Sequence, residues 1–346
     1  MRDSIFYSAL RALAVAFCVI VGLTLGIVFI TSLLGLLGGS TADNKLTTVN
    51  TEEILPNASG KREVLSSEAP VILQININGV IGTESLDTKT IRQQLVESRE
   101  GTFKDNRVKG ILLYIDTPGG TVTDADGIFH ELLAYKQKYQ VPIYAYIDGL
   151  CASGGMYVAL AADKIFASDV SLVGSVGVIA PAFFNLTKLL DKVGIEALTI
   201  FAGKDKDALN PVRPWKPGED DNYRHIVEYY YNHFVNLVTT YRPEITKEQL
   251  TKEYGAHVFP APLALEHGFI DVSGVALSDA LRALLTEVGI DSDYYQVLRL
   301  ENKSWWNSLF TSQATSLFKG KVKHEISLSP ELDIRTKNKF LYLYAP

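Results

Sequence analysis

Two short stretches hold side chains able to do covalent chemistry. In DGLCASGGMYVALAADKI (Asp148–Ile165), Ser153 stands where a strand gives way to a helix of small residues. Its hydroxyl would lie at the positive end of the helix dipole with the Gly154 N–H beside it, which suits a nucleophile. A capping serine followed by glycines for close packing has the same pattern. DTPGG (Asp116–Gly120) follows the apolar run Val108–Ile115 and precedes a helix. Glycines there expose backbone N–H groups to an anion or a developing oxyanion, although an ordinary tight turn uses the same residues. Cys151 lacks the glycine pair that follows Ser153 and reads as a small buried apolar residue.

A serine nucleophile needs a base. Of six histidines (His130, His225, His233, His257, His267 and His324), none stands in a motif that marks it as the partner, and only His130 follows the DTPGG turn closely. A lysine serves instead when burial or a neighbouring cation disfavours its charge. GKDKD (Gly203–Asp207) offers Lys204 and Lys206, which otherwise read as solvated surface residues.

These stretches need a frame. Val71–Ile77, Val108–Ile115, Val141–Ile147, Lys164–Ala167 and Ile195–Phe201 read as strands. Thr90–Glu100, Ala125–Gln137, Ser153–Ala162 and Phe183–Val193 read as the helices between them. The alternation predicts an α/β fold with a largely parallel sheet covered on both faces. Further helices are expected over Asp220–Tyr241, Thr246–Tyr254 and Ala276–Val288.

The 346 residues carry 33 basic and 39 acidic side chains, a net charge of −6, and 47% are hydrophobic. That composition suits a folded enzyme and lacks the basic clusters that nucleic-acid binding requires. Two cysteines, Cys18 and Cys151, exclude a disulfide framework and a multi-cysteine metal site. Residues 12–37 carry no charged side chain, enough to span a bilayer as a helix and too long for an ordinary cleavable signal. Arg2, Arg11 and the amino terminus precede the run, while Asp43, Lys45, Glu52 and Glu53 follow it, so the N-terminus is expected in the cytoplasm and the rest outside.

Together the motifs resemble signal peptide peptidase A and the SohB-type proteases over Val71 to Asp271. DTPGG is similar to the family's SPGG turn, CASGGMYVALAADKI to its serine box, GSVGV (Gly174–Val178) to its GSIGV element and GKDK (Gly203–Lys206) to its GxxK segment. FPAPLALEHGFID (Phe259–Asp271) is similar to a segment ending in GLVD. The resemblance implies Ser153 as nucleophile, Lys206 as general base and Ser175 as the lysine's hydrogen-bond partner, with Gly119 and Gly154 as oxyanion donors. It also implies a crotonase/ClpP-like spiral of ββα units, assembly into a homo-oligomeric ring, and no metal or cofactor. Thr117 for the usual serine, Met156 for a common aromatic and the stretch RPWKPGEDD (Arg213–Asp221) depart from the pattern.

The expected organisation is a membrane anchor (1–40), a polar tether (41–70), a catalytic domain (71–290) and a C-terminal extension (291–346). The expected function is a Ser/Lys endopeptidase of the bacterial inner membrane that degrades signal-peptide remnants or other hydrophobic peptides outside the cytoplasm. Two alternatives are a crotonase-fold acyl-CoA hydratase or isomerase and an inactive membrane scaffold.

Overall fold

The computed structural model describes residues 50–302 and 341–344, with helical positions at 13, 15, 17–19, 21–23 and 26. The chain divides into two units, Met1–Thr48 and Val49–Pro346. Most of the expected membrane span 12–37, and the tail from 303 to 340, lie outside the described residues. Among the described residues no helix is long and apolar enough to cross a membrane.

The second unit is built on an eight-stranded sheet. Its strands are β1 (Asn50–Leu55), β2 (Val71–Asn78), β3 (Val108–Thr117), β5 (Ile143–Ala152), β6 (Lys164–Ala167), β7 (Leu172–Gly174), β8 (Val258–Pro260) and β9 (Gln296–Asn302). The order is β1-β9-β2-β3-β5-β7-β8, with β6 also on β5. All pairs are parallel except β1 with β9 and β7 with β8. A short β4 (Gly119–Thr121) lies off this sheet and pairs with β10 (Leu341–Leu343).

Alternation of side chains across the strands makes two apolar layers. Val71, Leu73, Ile75 and Ile77 of β2 face one cluster with Ile111, Leu113 and Ile115 of β3. Ile72 and Leu112 face the other, beneath Leu281 and Leu284. Helices α1 (Thr88–Glu97), α2 (Val122–Tyr139), α3 (Gly154–Ala159) and α5 (Asp221–Tyr241) cover the first layer. The intervening α4 (Thr187–Val193) buries no residue. Helices α6 (Ala261–Glu266) and α7 (Leu277–Glu287) follow, α7 closing the second layer. Covered faces explain why β2 and β3 read as continuous apolar runs.

Three expectations are corrected. The span 41–70 is not wholly a tether, since 50–55 forms the edge strand β1. Its acidic residues, with Glu53 paired to Arg299, suit an edge and hid the strand period. The catalytic body does not stop at 290, because β9 lies parallel to β2. Ile195–Phe201 is not a strand: it has no pairing partner among the described residues, and Leu198 and Ile200 are 87% and 89% exposed. An unpaired segment cannot satisfy the hydrogen-bonding groups of a strand.

After this exposed segment, the loop carrying Lys206 is tied to itself by Arg213. The guanidinium donates to Asp207 Oδ2 (2.5 Å) and Glu219 Oε1 (2.7 Å), and Glu219 Oε2 accepts from Leu209 N (3.0 Å). Trp215 Nε1 donates to Asn210 O at 2.8 Å. The unusual stretch Arg213–Asp221 is therefore the clamp of this loop.

Two predictions follow from these contacts. Gly127 lets α2 approach α1, and a Cβ there would collide with the Thr88 side chain, with Cγ2 at 2.8 Å. Overpacking costs about 1–3 kcal/mol and a helical Gly→Ala change returns about 1, so Gly127→Ala should lower stability by about 1 kcal/mol in urea denaturation. A raised midpoint would show that the helices part freely. In the loop, Arg213 holds the Asp207 and Glu219 carboxyls below their ordinary values of 3.8 and 4.5. Their contribution is full above the ordinary values and is lost as pH falls through the lowered ones. Amide exchange across 203–219 should stay protected from pH 7 down to 4.5 and open only as pH falls below 3.8, through the lowered values. Arg213→Ala should open it at neutral pH, and protection unchanged by that variant would remove the clamp.

Candidate active site

The register of β3 on β5 decides where the two glycine-rich turns meet. Thr117 stands opposite Cys151, so both strands end at one level of the sheet. Gly149, at φ +120°, bends β5 beside Asp116, whose Oδ1 accepts from Leu150 N at 3.0 Å. The lower part of β5 pairs with β6 and the upper part, Leu150–Ala152, with β7.

Ser153 ends β5 in a conformation that L-residues rarely adopt, φ +54° and ψ −112°. Its N–H donates to Gly174 O at 2.9 Å, and its carbonyl accepts from Tyr157 N at 3.0 Å in α3. The side chain is 1% exposed, and Oγ lies 3.4 Å from the Gly177 carbonyl it donates to. A serine held in a strained strand-to-helix turn presents its hydroxyl in one direction, as a nucleophile requires.

Gly119 comes against this turn from β4. It has φ +96°, and a Cβ on it would lie 2.6 Å from Gly154 N and 3.0 Å from Ala152 O. A Cβ on Gly154 would lie 3.1 Å from Gly120 N. The Gly119 N–H itself donates to Thr117 Oγ1 at 3.0 Å, so this threonine is part of the turn.

One edge of β4 is held by Ile81, through Ile81 N to Gly119 O and Thr121 N to Ile81 O. The other carries β10, antiparallel, with Tyr342 opposite Gly120 and Leu343 opposite Gly119. Tyr344 N donates to Pro118 O at 2.7 Å. A Cβ on Gly119 would strike the Tyr342 carbonyl oxygen, which is also 3.0 Å from the Cβ position of Gly154. The chain's own C-terminal segment thus lies as an extended peptide along the glycine turn, one carbonyl directed at the junction beside Ser153.

The structure brings Ser153, Gly154 and Gly119 together, with Ser175 next to the Gly174 that receives the Ser153 N–H. Ser175 is buried at φ +57°, and its N–H donates to His257 O at 2.6 Å. Lys206 is not brought to them: it is exposed and makes no side-chain hydrogen bond or ion pair to Ser153 or Ser175 among the described residues. His130 faces Asp126 at 3.5 Å across one turn of α2, and no histidine side chain bonds Ser153 among the described residues. Burial pushes the Cys151 thiol well above its ordinary range, so it stays protonated and unreactive.

Sequence reasoning missed the C-terminal strand. Its signal was the aromatic and leucine alternation in FLYLY (Phe340–Tyr344) closing a polar tail. It also missed Tyr157, whose hydroxyl donates to Asp126 Oδ1 at 2.6 Å and lies 3.0 Å from His233 Nε2. Burial, reinforced by Asp126, holds that phenol far above its ordinary range.

Comparison with known proteins gives the family. The profile described as Peptidase family S49 matches residues 135–291, and that of Clp protease matches residues 76–170, the span from β2 past Ser153. A "Putative signal peptide peptidase SppA" of Enterococcus faecium is 31% identical over 284 residues, covering 77% of this chain and 79% of that protein. A "Putative protease slr0021" of Synechocystis is 30% identical over 233 residues, covering 67% and 79%. The chloroplastic serine protease SPPA of Arabidopsis thaliana is 30% identical over 185 residues, covering 53% and 27%. The chain belongs to peptidase family S49.

Proposed function

We propose that this chain is a membrane-anchored serine endopeptidase that cleaves signal-peptide remnants and similar hydrophobic peptides. The observation that carries the reading is the peptide strand 341–344 laid antiparallel on β4, with its Tyr342 carbonyl beside Gly119, Gly154 and the turn of Ser153. A peptide in that position favours peptide-bond hydrolysis over acyl-CoA chemistry.

In the proposed reaction, Ser153 Oγ attacks the carbonyl carbon while the neutral Lys206 amine takes its proton. Backbone N–H groups at Gly119 and Gly154 stabilise the oxyanion. The lysine returns the proton to the leaving amine, the C–N bond breaks, and water then hydrolyses the Ser153 ester by the same proton route. The Gly119 N–H must turn from Thr117 Oγ1 to take part, and Ser175 would orient the lysine.

Lys206 can act only where it is desolvated. The segment before its loop exposes Phe184, Leu189, Val193, Leu198, Ile200 and Phe201. A second copy of the chain covering this segment would remove that surface and the Lys206 loop from water together, in keeping with a ring. Residues 12–37 would hold the assembly in the bacterial inner membrane, N-terminus in the cytoplasm and Ser153 outside.

The test is mass-spectrometric mapping of products from a signal-peptide mixture, with fluorophosphonate labelling of Ser153. Ser153→Ala should abolish both cleavage and labelling. Lys206→Ala should lower turnover by at least about 10³-fold, on the scale of losing a catalytic member, and His130→Ala should cleave normally. Cleavage retained by Ser153→Ala or Lys206→Ala would refute the dyad. Loss in His130→Ala would favour a histidine base. Mixing the two dead variants should restore partial activity if assembly delivers Lys206 to a neighbour's serine.

A further inference from the structure

Strand β5 does not run evenly to Ser153. From Ile143 to Ile147 it pairs residue for residue with Ile111 to Ile115 of β3. The next pair is Thr117 with Cys151, two steps along β3 but four along β5. Asp148 and Gly149 take up the difference and pair with no strand among the described residues. This two-residue excess shortens the reach of β5 by about 7 Å, at about 3.3 Å of rise per residue. An even register would set Thr117 opposite Gly149 and carry Ser153 two residues past the glycine turn.

The apolar pattern of the strand cannot enforce the excess. A slip of one residue turns every side chain to the wrong face, but a slip of two restores them all. Specific groups must therefore hold the bulge, and each of its residues has one. The Tyr114 hydroxyl donates to Asp148 Oδ2 at 2.5 Å. Gly149 N donates to Ser171 Oγ at 3.2 Å, and the fully buried Ser171 donates in turn to Ile147 O at 2.9 Å. Leu150 N donates to Asp116 Oδ1 at 3.0 Å, and a Cβ on Gly149 would lie 2.6 Å from that same oxygen. Two N–H groups taken out of the ladder are thus met by side chains, one on each side of β5.

We propose that Asp116 and Ser171 are positioning residues for the nucleophile. They hold the Asp148–Leu150 bulge closed, and the bulge sets Ser153 level with Gly119. Asp116 serves there as a hydrogen-bond acceptor rather than as a charge. The assignment rests on the peptidase reading above and adds to it the groups that fix the height of the serine.

The experiment uses the full chain, an internally quenched peptide of signal-peptide sequence for kcat and KM, and a fluorophosphonate for the labelling rate of Ser153. Asp116→Ala and Ser171→Ala should each lower kcat and the labelling rate together by about 10- to 100-fold, the scale of a misplacement of about 1 Å. KM should change by less than about 3-fold, because β4 keeps its partners. Asp116→Asn keeps an acceptor oxygen at the same reach and should hold kcat within about 3-fold of the unaltered chain. Asp116→Glu keeps the charge but sets its oxygens one methylene further out, and should lose kcat as the alanine variant does. Should the alanine variants not fold, the contrast between Asp116→Asn and Asp116→Glu decides.

Unchanged kcat and labelling in folded Asp116→Ala or Ser171→Ala would overturn the positioning role and leave the peptidase reading standing. So would equal activity in Asp116→Asn and Asp116→Glu, or a loss confined to KM. Absence of both labelling and hydrolysis in the unaltered chain would overturn the peptidase reading, and the positioning role with it.

Discussion

Two backbones meet without side chains between them where Gly119 approaches Gly154, and the geometry around Ser153 depends on that contact. Any Cβ at Gly119 would fall on Gly154 N, Ala152 O and the Tyr342 carbonyl. The approach requires β3 and β5 to end level, which their parallel register provides by setting Thr117 opposite Cys151. It also requires β5 to turn sharply into α3, which forces Ser153 to positive φ. Such a residue costs about 1–3 kcal/mol and persists only where its surroundings over-determine it. Here β5 lies between β3 and β7, and the hydrogen bond from Ser153 N to Gly174 O fixes the turn.

Burial explains which parts of this frame can be read from residues alone. Strands β2, β3 and β5 are covered on both faces, so their apolar runs announce them. The motifs of the glycine turn and serine box sit at their ends, and there pattern and position agree. Edge strand β1 defeats the same reading because TEEIL carries acidic residues that face water on an outermost strand. Ile195–Phe201 errs in the opposite direction. Its composition is that of a strand, yet Leu198 and Ile200 are exposed, and a local pattern does not tell apolar residues at a surface from those in a core. The partner of β10 is 220 positions away in sequence, and no local pattern can state a pairing of that range.

Lys206 marks a different boundary between motif and geometry. Its loop is organised by Arg213, Asp207, Glu219 and Trp215, all within the loop itself, and among the described residues by none of the groups around Ser153. A locally tied loop at the end of an exposed apolar segment can be carried as a unit. In the proposed assembly the same covering surface desolvates the lysine and buries Phe184, Leu198 and Ile200. Since a lysine serves as a base only where burial disfavours its charge, the proposed assembly would switch on the chemistry by covering this loop.

Tyr157 ties Ser153 to the strand that lies along the glycine turn. It stands one helical turn after Ser153 and donates its N–H to the Ser153 carbonyl, so the backbone that strains the serine also positions the ring that Tyr342 stacks on. Asp126 on α2 and His233 on α5 hold the other end of that side chain. A rotation of α3 that relaxed the serine would swing the Tyr157 ring against both partners. Rigid support from two longer helices resists that rotation, and a six-residue helix, too short to be stable by itself, can then hold a strained residue at its first turn. The buried contacts of Tyr157 are therefore part of what keeps Ser153 in place.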